Sequence, residues 1–425
     1  SGHIGRTLAK LEYIETISLS NNNISGSITQ EIEELSQLEH LSTLDLSQNK
    51  LFGTLDDIYL GDFPSLKSFD LSNNEISGPI SSDFFRDCKP TLSFLSLSGN
   101  AIQGSIPTSI DSCTNLHFLN LSKNHIVNDI PDLASLHDLS IIDLSNNALS
   151  GGLPKLGPNV IEVHFHNNKL LGSVYKELVS FPMLQILDLS NNVLSGEIPA
   201  TIGGSLIALN LANNFISGSI PSWASSSLSS LEVLNLSYNA LEGEIPSTIG
   251  DFEALKVVDL SQNRLSGEGL RSLSRCDKLR ILDLSSNNFS GSFPEAFPSH
   301  LLSLKLSNNQ LRGQIPANFY SKCGSFQVLD LSLNWLQGSV SQLFISCGKL
   351  EYLNMSHNFL SGGIPTFQDE LNALIMMDLS HNRFVGSIPS SIGYGTQLVS
   401  LLLNANKLNG SIPSQVGNCS SLRDM

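Results

Sequence analysis

Apolar residues return along the chain in one short pattern that ends at an asparagine. Leucine alternates with another residue, a serine and the asparagine follow, and a further apolar position precedes a glycine and often Ile-Pro. The pattern occurs 17 times, with its asparagine at Asn22, Asn49, Asn74, Asn100, Asn124, Asn147, Asn168, Asn192, Asn214, Asn239, Asn263, Asn287, Asn309, Asn334, Asn358, Asn382 and Asn406. The mean interval is 24 residues, which indicates a repeat architecture.

The apolar part of each repeat has the period of a β-strand. In Leu282-Asp283-Leu284 the two leucines are predicted to point inward and Asp283 outward. A strand this short has no partner inside its own repeat. It must pair with the equivalent strands of neighbouring repeats, so we predict a long parallel sheet.

The asparagine and the glycine after it predict the turn that leaves the strand. The asparagine is expected to be buried, where its amide can donate to and accept from the backbone of adjacent coils. Glycine stands four residues later in 16 of the 17 repeats, and the exception is Asn128, which also tolerates positive φ. The next stretch, such as residues 247–252, is predicted to form irregular or 3-10 turns.

This repeat resembles the plant-specific leucine-rich repeat of receptor-like kinases and receptor-like proteins and, more distantly, of polygalacturonase-inhibiting proteins. The resemblance covers essentially the whole chain. It implies an α/β-type solenoid, a right-handed superhelix of about 17 repeats of 24 residues. A parallel β-sheet would line the concave face, and 3-10 or irregular turns the convex face. Family members carry paired cysteines in terminal caps, and neither end shows such a pair. We therefore expect residues 1–425 to be a single array, excerpted from a longer protein with both caps missing.

The net charge of −16 makes contact with a phosphate backbone unfavourable, so nucleic acid is not an expected partner. No apolar run approaches the ~20 residues that span a bilayer. Membrane contact is therefore expected only through segments outside this chain.

The cysteines share one position in the repeat. Each stands 13 or 14 residues after its asparagine, in a convex slot that suits a small buried group, so we expect free thiols: Cys88, Cys113, Cys276, Cys323, Cys347 and Cys419. The alternative is a disulfide between adjacent repeats, which stacking would allow for Cys88 with Cys113 and for Cys323 with Cys347. The spacing does not favour a metal site.

Seven N-x-S/T sequons are candidate glycosylation sites: Asn23, Asn120, Asn235, Asn288, Asn354, Asn409 and Asn418. We expect roughly half of them to be occupied in a secreted chain. Asn120, Asn235 and Asn354 lie in strands and point outward, so glycans there would cover part of the concave face.

Aspartate recurs at the outward strand position, at Asp45, Asp70, Asp143, Asp188, Asp259, Asp283, Asp330 and Asp378. General acids, a calcium site or an activated serine are conceivable, but a hydrogen-bonded ladder across stacked strands is the favoured interpretation. One repeat departs from this default with His164 and His166 beside Glu162. These are either surface substitutions or a pH-sensitive or ligand-contacting patch, and a two-histidine metal site is the least favoured alternative.

Aromatic residues mark two further candidate binding sites. Phe94 and Phe118 occupy equivalent outward positions beside His117. In the C-terminal part, the residues on or beside the concave face are Trp335, Tyr352, His357, Met376, His381 and Arg383. Exposed aromatic residues with polar neighbours are typical binding anchors. Phe359 is expected to pack within its coil instead.

These features predict a non-catalytic, extracellular binding module without cofactor or metal. The resemblance implies the ectodomain of a plant cell-surface receptor, anchored at the plasma membrane through segments outside this chain. Its ligand would be a peptide, protein or glycan on the concave or lateral face, and a co-receptor kinase would bind at the C-terminal repeats. A secreted inhibitor of a cell-wall hydrolase and a structural scaffold are the alternatives.

Overall fold

The computed structural model describes residues 8, 10–88, 91–174, 181–202, 205–224, 228–267, 269–295, 297–320, 322–341, 343, 347–366 and 373–425. The chain divides into two compact units, Ser1–Phe215 and Ile216–Met425. Each unit is built from repeats that contribute a first strand before the repeated asparagine and a second strand after it. Among the described residues, no helix is long and apolar enough to cross a membrane.

The first strands of the N-terminal unit form a parallel sheet in which equivalent residues face each other. They are Thr16–Ser18, Thr43–Asp45, Ser68–Asp70, Phe94–Ser96, Phe118–Asn120, Ile141–Asp143, Glu162–His164, Ile186–Asp188 and Ala208–Asn210. Ile17 pairs with Leu44, for example, and Leu187 pairs with Leu209. The central residue of every one of these strands is buried. This confirms the predicted strand period and the stacking of successive repeats.

The C-terminal unit repeats the arrangement with the strands Val233–Asn235, Val257–Asp259, Ile281–Asp283, Ser303–Lys305, Val328–Asp330, Tyr352–Asn354, Met376–Asp378 and Ser400–Leu402. Leu282 pairs with Val258 on one side and Leu304 on the other. Leu282 and Leu284 are fully buried, while Asp283 is half-buried on the outer surface.

The second strands were not predicted from the sequence. In the N-terminal unit they are Ser25–Ser27, Lys50–Gly53, Glu75–Pro79, Ala101–Gly104, His125–Asp129, Ala148–Ser150, Leu171–Ser173 and Val193–Glu197. From Phe215 onward they are Phe215–Ser219, Ala240–Gly243, Arg264–Gly267, Asn288–Ser292, Gln310–Gln314, Trp335–Ser339, Phe359–Gly362, Arg383–Gly386 and Lys407–Leu408. They pair in parallel, and the residue two positions after the repeated asparagine is buried in every repeat except the first and the last, as Leu336 shows. The residues on either side of it point to solvent.

The segments opposite the first strands mostly confirm the prediction of 3-10 and irregular turns. The 3-10 helices are Leu60–Asp62, Ser82–Phe85, Thr108–Ser112, Ser247–Asp251, Gly269–Arg275, Cys323–Ser325, Ser390–Tyr394 and Ser414–Asn418. In the described part of the chain two short α-helices depart from it, Ile28–Leu35 and Ala317–Tyr320. The first has room because the interval from Asn22 to Asn49 is 27 residues, and its Ile28, Ile32 and Leu35 are buried at helical spacing.

The repeated asparagine connects each coil to the coil before it, as predicted. Asn309 is buried, and its amide nitrogen donates to the carbonyl oxygens of Leu306 and Ser307 in its own turn, at 3.1 and 3.2 Å. The same nitrogen donates to Leu284 of the preceding repeat at 3.0 Å, and the amide oxygen accepts from the backbone N–H of Phe289 at 3.0 Å. One side chain therefore satisfies four buried backbone groups on two coils.

Two backbone positions in each repeat are left-handed. The predicted one is the glycine four residues after the asparagine, where every such glycine except Gly26 has positive φ, and Asn128 replaces glycine with φ 66°. The other, missed in the sequence, is the residue directly before the asparagine. It has φ of 52–65° in all 17 repeats, and most of these residues are not glycine. We call it the αL position.

The cysteine prediction was wrong for four of the six residues. Cys88 and Cys113 form a disulfide with Cα atoms 5.2 Å apart, and Cys323 and Cys347 form one with Cα atoms 5.0 Å apart. Their shared slot stacks cysteine on cysteine in adjacent repeats. Cys276 and Cys419 are buried free thiols, as predicted. In the repeat before Cys276 the same slot holds Phe252, and in the repeat before Cys419 it holds Gly395, so neither preceding repeat offers a cysteine for a disulfide.

We predict that Asn309→Ala lowers the free energy of unfolding by at least about 3 kcal/mol, because it leaves several buried backbone groups without a partner. Urea denaturation followed by circular dichroism measures this change. The matched control is Gln310→Ala at the exposed next residue, expected to change stability by less than about 0.5 kcal/mol. Equal effects of the two substitutions would contradict the role assigned to the asparagine.

Candidate ligand-binding faces

The outward side chains of the first strands form one continuous surface within each unit, which we call the strand face. Each repeat contributes three outward positions to it, such as Ile281, Asp283 and Ser285. Since neighbouring strands lie about 4.8 Å apart, equivalent residues form columns that cross the sheet.

The recurring aspartate and serine hold each other within one repeat. Ser285 donates to the Oδ1 atom of Asp283 from its backbone N–H at 3.0 Å and from its hydroxyl at 2.6 Å. A bond between repeats is exemplified by the Ser18 hydroxyl, which lies 3.4 Å from Oδ2 of Asp45. The hydrogen bonds of the aspartates are therefore mainly made within one repeat, in separate Asp-Ser pairs, and only in part across stacked strands as predicted. The second carboxylate oxygen of each pair points outward.

In the N-terminal unit, Phe94 and Phe118 stack on the strand face. Their ring centroids are 4.5 Å apart with planes 3° from parallel, and the two residues are paired in register. Ile141 continues the apolar column on the next strand. His117 precedes its strand and points instead to the carbonyl oxygen of Asn115, which is 2.8 Å from its Nδ1 atom. The sequence thus located the aromatic pair, while His117 lies beside it.

His164 and His166 lie among three carboxylates. His164 Nε2 is 3.3 Å from Oε2 of Glu162, and His166 Nδ1 is 3.6 Å from Oδ2 of Asp188. Asp143 and Asp188 flank His164 on the adjacent strands. His166 Nδ1 is buried and has no hydrogen-bond partner. The described residues contain no group of three or more His, Cys, Asp or Glu suited to a metal ion.

In the C-terminal unit, the strand face contains an open groove with a volume of about 590 Å³. Its walls include Tyr238, Asp259, Asp283, Lys305, Asp330 and Tyr352. Of these, only Tyr352 was predicted from the sequence as a binding residue. Tyr238 occupies the αL position and is exposed, and Lys305 takes the place that aspartate has in the neighbouring repeats.

The groove is acidic and partly desolvated. The ammonium group of Lys305 lies 3.3 Å from Oδ2 of Asp283, so one cation faces the carboxylates of Asp259, Asp283 and Asp330. Burial raises the pKa of the Asp330 carboxyl above its usual value, and the hydrogen bonds from Ser332 only partly offset this effect. Burial also raises the pKa of Tyr352. The groove can therefore hold a positively charged or hydrogen-bond-donating group between two aromatic walls.

The C-terminal aromatic set separates into two surfaces. Tyr352 and Met376 are half-buried neighbours on the strand face, paired in register. The other four residues lie at αL positions and on second strands of three successive repeats. Together with two neighbours they form what we call the lateral patch: Leu333, Trp335, His357, Phe359, His381 and Arg383.

Four side chains of the lateral patch contact one another in two pairs. The imidazole rings of His357 and His381 stack with centroids 4.1 Å apart. The guanidinium of Arg383 lies 4.5 Å from the centroid of the Phe359 ring. The expectation that Phe359 packs within its coil was wrong, because it is 43% exposed. It directly follows the repeated asparagine, and Trp335 and Arg383 point outward from the same position.

The sequons occupy two environments. Asn23, Asn288, Asn409 and Asn418 are exposed. Asn120, Asn235 and Asn354 are half-buried on the strand face, where each takes the place of the aspartate. The Oδ1 atom of Asn354 accepts from the Ser356 hydroxyl at 2.8 Å, so the asparagine makes the same bond within its repeat as the aspartates do.

Comparison with known families agrees with this geometry. Profiles described as leucine-rich repeats match residues 13–35, 39–102, 90–135, 183–204, 204–265, 278–299, 300–321, 349–369 and 373–394. These segments make up more than half of the chain. The chain belongs to the leucine-rich repeat family.

Solved leucine-rich repeat structures similar to this chain include ectodomains of plant receptor kinases. The GASSHO1/SCHENGEN3 ectodomain of Arabidopsis thaliana is 32% identical with a TM-score of 0.84, over 98% of this chain and 53% of that one. The Arabidopsis receptor kinase HAESA is 30% identical with a TM-score of 0.77, over 98% of this chain and 78% of that one.

A curated relative is the leucine-rich repeat receptor-like protein kinase PXC2 of Arabidopsis thaliana. It is 36% identical over 88 residues, which are 21% of this chain and 6% of the relative. The chain thus spans about half of the GASSHO1/SCHENGEN3 ectodomain and a small part of PXC2.

We predict that Asp330→Asn raises the stability of this leucine-rich repeat chain at pH 7. Asparagine keeps the bonds to the following serine, as in Asn235 and Ser237, and removes a desolvated charge. Because the folded-state pKa of Asp330 is raised, the native protein loses stability as pH rises through the range in which this carboxyl ionises. The gain from the substitution should therefore disappear in acid, where the carboxyl is protonated in both the folded and the unfolded state.

Denaturation curves at several pH values measure this difference. The variant is made in a host without N-glycosylation, because an asparagine introduced two residues before Ser332 creates a new sequon. Asp143→Asn, on the N-terminal strand face, is the control for the substitution itself. A gain independent of pH would show that the charge of Asp330 is not the cause.

Proposed function

We propose that this chain is part of the extracellular region of a plant cell-surface receptor, and that it binds a peptide on the strand face of the C-terminal unit. Its role is binding and not catalysis. The observation that carries the proposal is the groove between Tyr238 and Tyr352, which offers carboxylates beside aromatic and aliphatic walls. An extended peptide can present a donor or a cation to the carboxylates while its apolar side chains lie on the adjoining column.

The adjoining column favours a ligand that crosses several repeats. Val257, Ile281, Val328, Tyr352 and Met376 occupy the first outward position of successive strands, interrupted by Ser303. Ile281 is 42% exposed although it lies in the centre of the sheet. Apolar residues beside carboxylates give a binding surface that selects for both shape and charge.

The structural relatives support a peptide as the ligand. The GASSHO1/SCHENGEN3 ectodomain was solved with CASPARIAN STRIP INTEGRITY FACTOR 2, and the receptor RGFR1, 28% identical to this chain, with RGF2. HAESA was solved with the peptide hormone IDA and the co-receptor SERK1. We propose by the same reasoning that a co-receptor kinase joins the complex at the C-terminal repeats.

We propose secondary roles for the other candidate sites. Phe94 and Phe118 would offer a second contact surface, on the N-terminal unit, and the cluster of Glu162, His164 and His166 would make contacts there sensitive to pH. We propose glycans at the four exposed sequons. A glycan at Asn354 would stand beside Tyr352 and restrict the groove.

Selection from a library of random-sequence peptides displayed on phage tests the proposal. We expect enriched peptides that bind the wild-type chain and lose at least about tenfold in affinity when Tyr352→Ala and Asp283→Asn are combined, a change of about 1.4 kcal/mol. The variant is made without N-glycosylation, since Asp283→Asn creates a sequon.

The matched control is Asp45→Asn combined with Thr43→Ala, at the equivalent positions of the N-terminal unit and made in the same host. It should leave the affinity within about twofold. Peptides that bind both variants like the wild type, or the absence of any enrichment, would refute the groove as a peptide site.

A further inference from the structure

The large side chains of the lateral patch are more exposed to solvent than the fold requires. Leu333 is 49% exposed and Trp335 is 53% exposed, and Phe359 holds the position of Trp335 in the next repeat. Asparagine and glycine tolerate the αL conformation best, and asparagine takes this position in seven of the other repeats, for example as Asn308. Leu333, His357 and His381 instead place larger side chains at φ of 53–54°, a conformation that is strained for residues other than asparagine and glycine. A residue with a strained backbone and an exposed side chain suggests a binding role.

The patch is positively charged although the chain is strongly acidic. The second strands from Asn288–Ser292 to Lys407–Leu408 contain Arg312, Arg383 and Lys407 and no aspartate or glutamate. Asp330 and Asp378 of the same repeats lie on the strand face and accept hydrogen bonds from the serines that follow them. The two histidines add positive charge when they are protonated.

We propose that the lateral patch is a docking surface for a second protein that presents an acidic surface with apolar side chains. Trp335 and Leu333 are the apolar anchors, and Arg383 is the ion-pairing anchor. Tryptophan and arginine are among the residues enriched in protein-protein hot spots. An acidic oligosaccharide fits less well, because stacking of sugar rings needs bare aromatic faces and Arg383 covers one face of Phe359.

The stacked histidines make docking dependent on pH. Two imidazolium rings at 4.1 Å repel each other, and the basic residues on the adjoining second strands, Arg312, Arg383 and Lys407, have the same sign of charge. An acidic partner relieves the repulsion, so protonation and docking favour each other. The surface is separate from the groove, and its failure as a docking site would leave the peptide proposal unaffected.

The chain contains a built-in reporter for this test. Trp335 is exposed, and the second tryptophan, Trp223, is 1% exposed. Acrylamide quenching of the intrinsic fluorescence therefore reports mainly on Trp335. The probes are a peptide of about 16 residues that alternates glutamate with leucine or phenylalanine, the same peptide with lysine for glutamate, and an oligogalacturonate.

We expect the acidic peptide to protect Trp335 from acrylamide and the lysine peptide to give no protection. Arg383→Glu should weaken binding at least about tenfold, whereas Arg264→Glu, at the same exposed repeat position, should change it less than about threefold. Trp335→Ala, followed by calorimetry, should also abolish binding. Circular dichroism verifies that each variant is folded.

Lowering the pH from about 8 to about 6 should strengthen the binding of the acidic peptide several-fold, because its glutamates stay ionised in this range. His357→Asn combined with His381→Asn should remove the pH dependence, and asparagine suits the αL position. Equal losses with Arg383→Glu and Arg264→Glu would overturn the proposal, since they indicate unspecific attraction. Protection by oligogalacturonate but not by the acidic peptide would overturn it in favour of a carbohydrate site.

Discussion

The buried asparagine amide determines the spacing of everything else in the structure. Each amide joins its own turn to the coil before it, and the four bonds leave no freedom to slide one repeat against the next. Strand register follows from this, because a shift by one residue would expose the leucines and bury the outward side chains. The columns on the strand face and the lateral patch exist because successive coils are held in equivalent positions.

The same constraint leaves the surface chemistry free. Outward side chains do not take part in the asparagine contacts, so a repeat tolerates Lys305 in place of aspartate and His164 in place of aspartate within an unchanged sheet. The αL position is similar, since its backbone conformation is imposed by the turn whatever residue occupies it. Recognition can therefore vary from repeat to repeat while folding depends on the repeated leucine, asparagine and glycine.

The sequence predicted the features that depend on one repeat and its copies. Strand period, the asparagine contacts and the glycine turn follow from residue types at fixed spacing, and Phe94 with Phe118 follows from equivalent positions. The second strands escaped prediction because their alternation is only a few residues long. The groove was not predicted because its residues come from several repeats. In addition, Tyr238 lies at the αL position, and the direction of a side chain there was not recognised from the sequence. The disulfides follow from neighbouring cysteines in one slot, and this adjacency should have outweighed the preference for buried thiols.

The disulfides have a consequence for a chain that is cut. Cys88 and Cys113 enclose a complete first strand and second strand, and so do Cys323 and Cys347. A protease that cleaves one peptide bond inside either interval produces two fragments that remain covalently joined. The asparagine contacts and both sheets can then hold the cut coil in place. Such a molecule would migrate as an intact chain until a reductant separates its pieces.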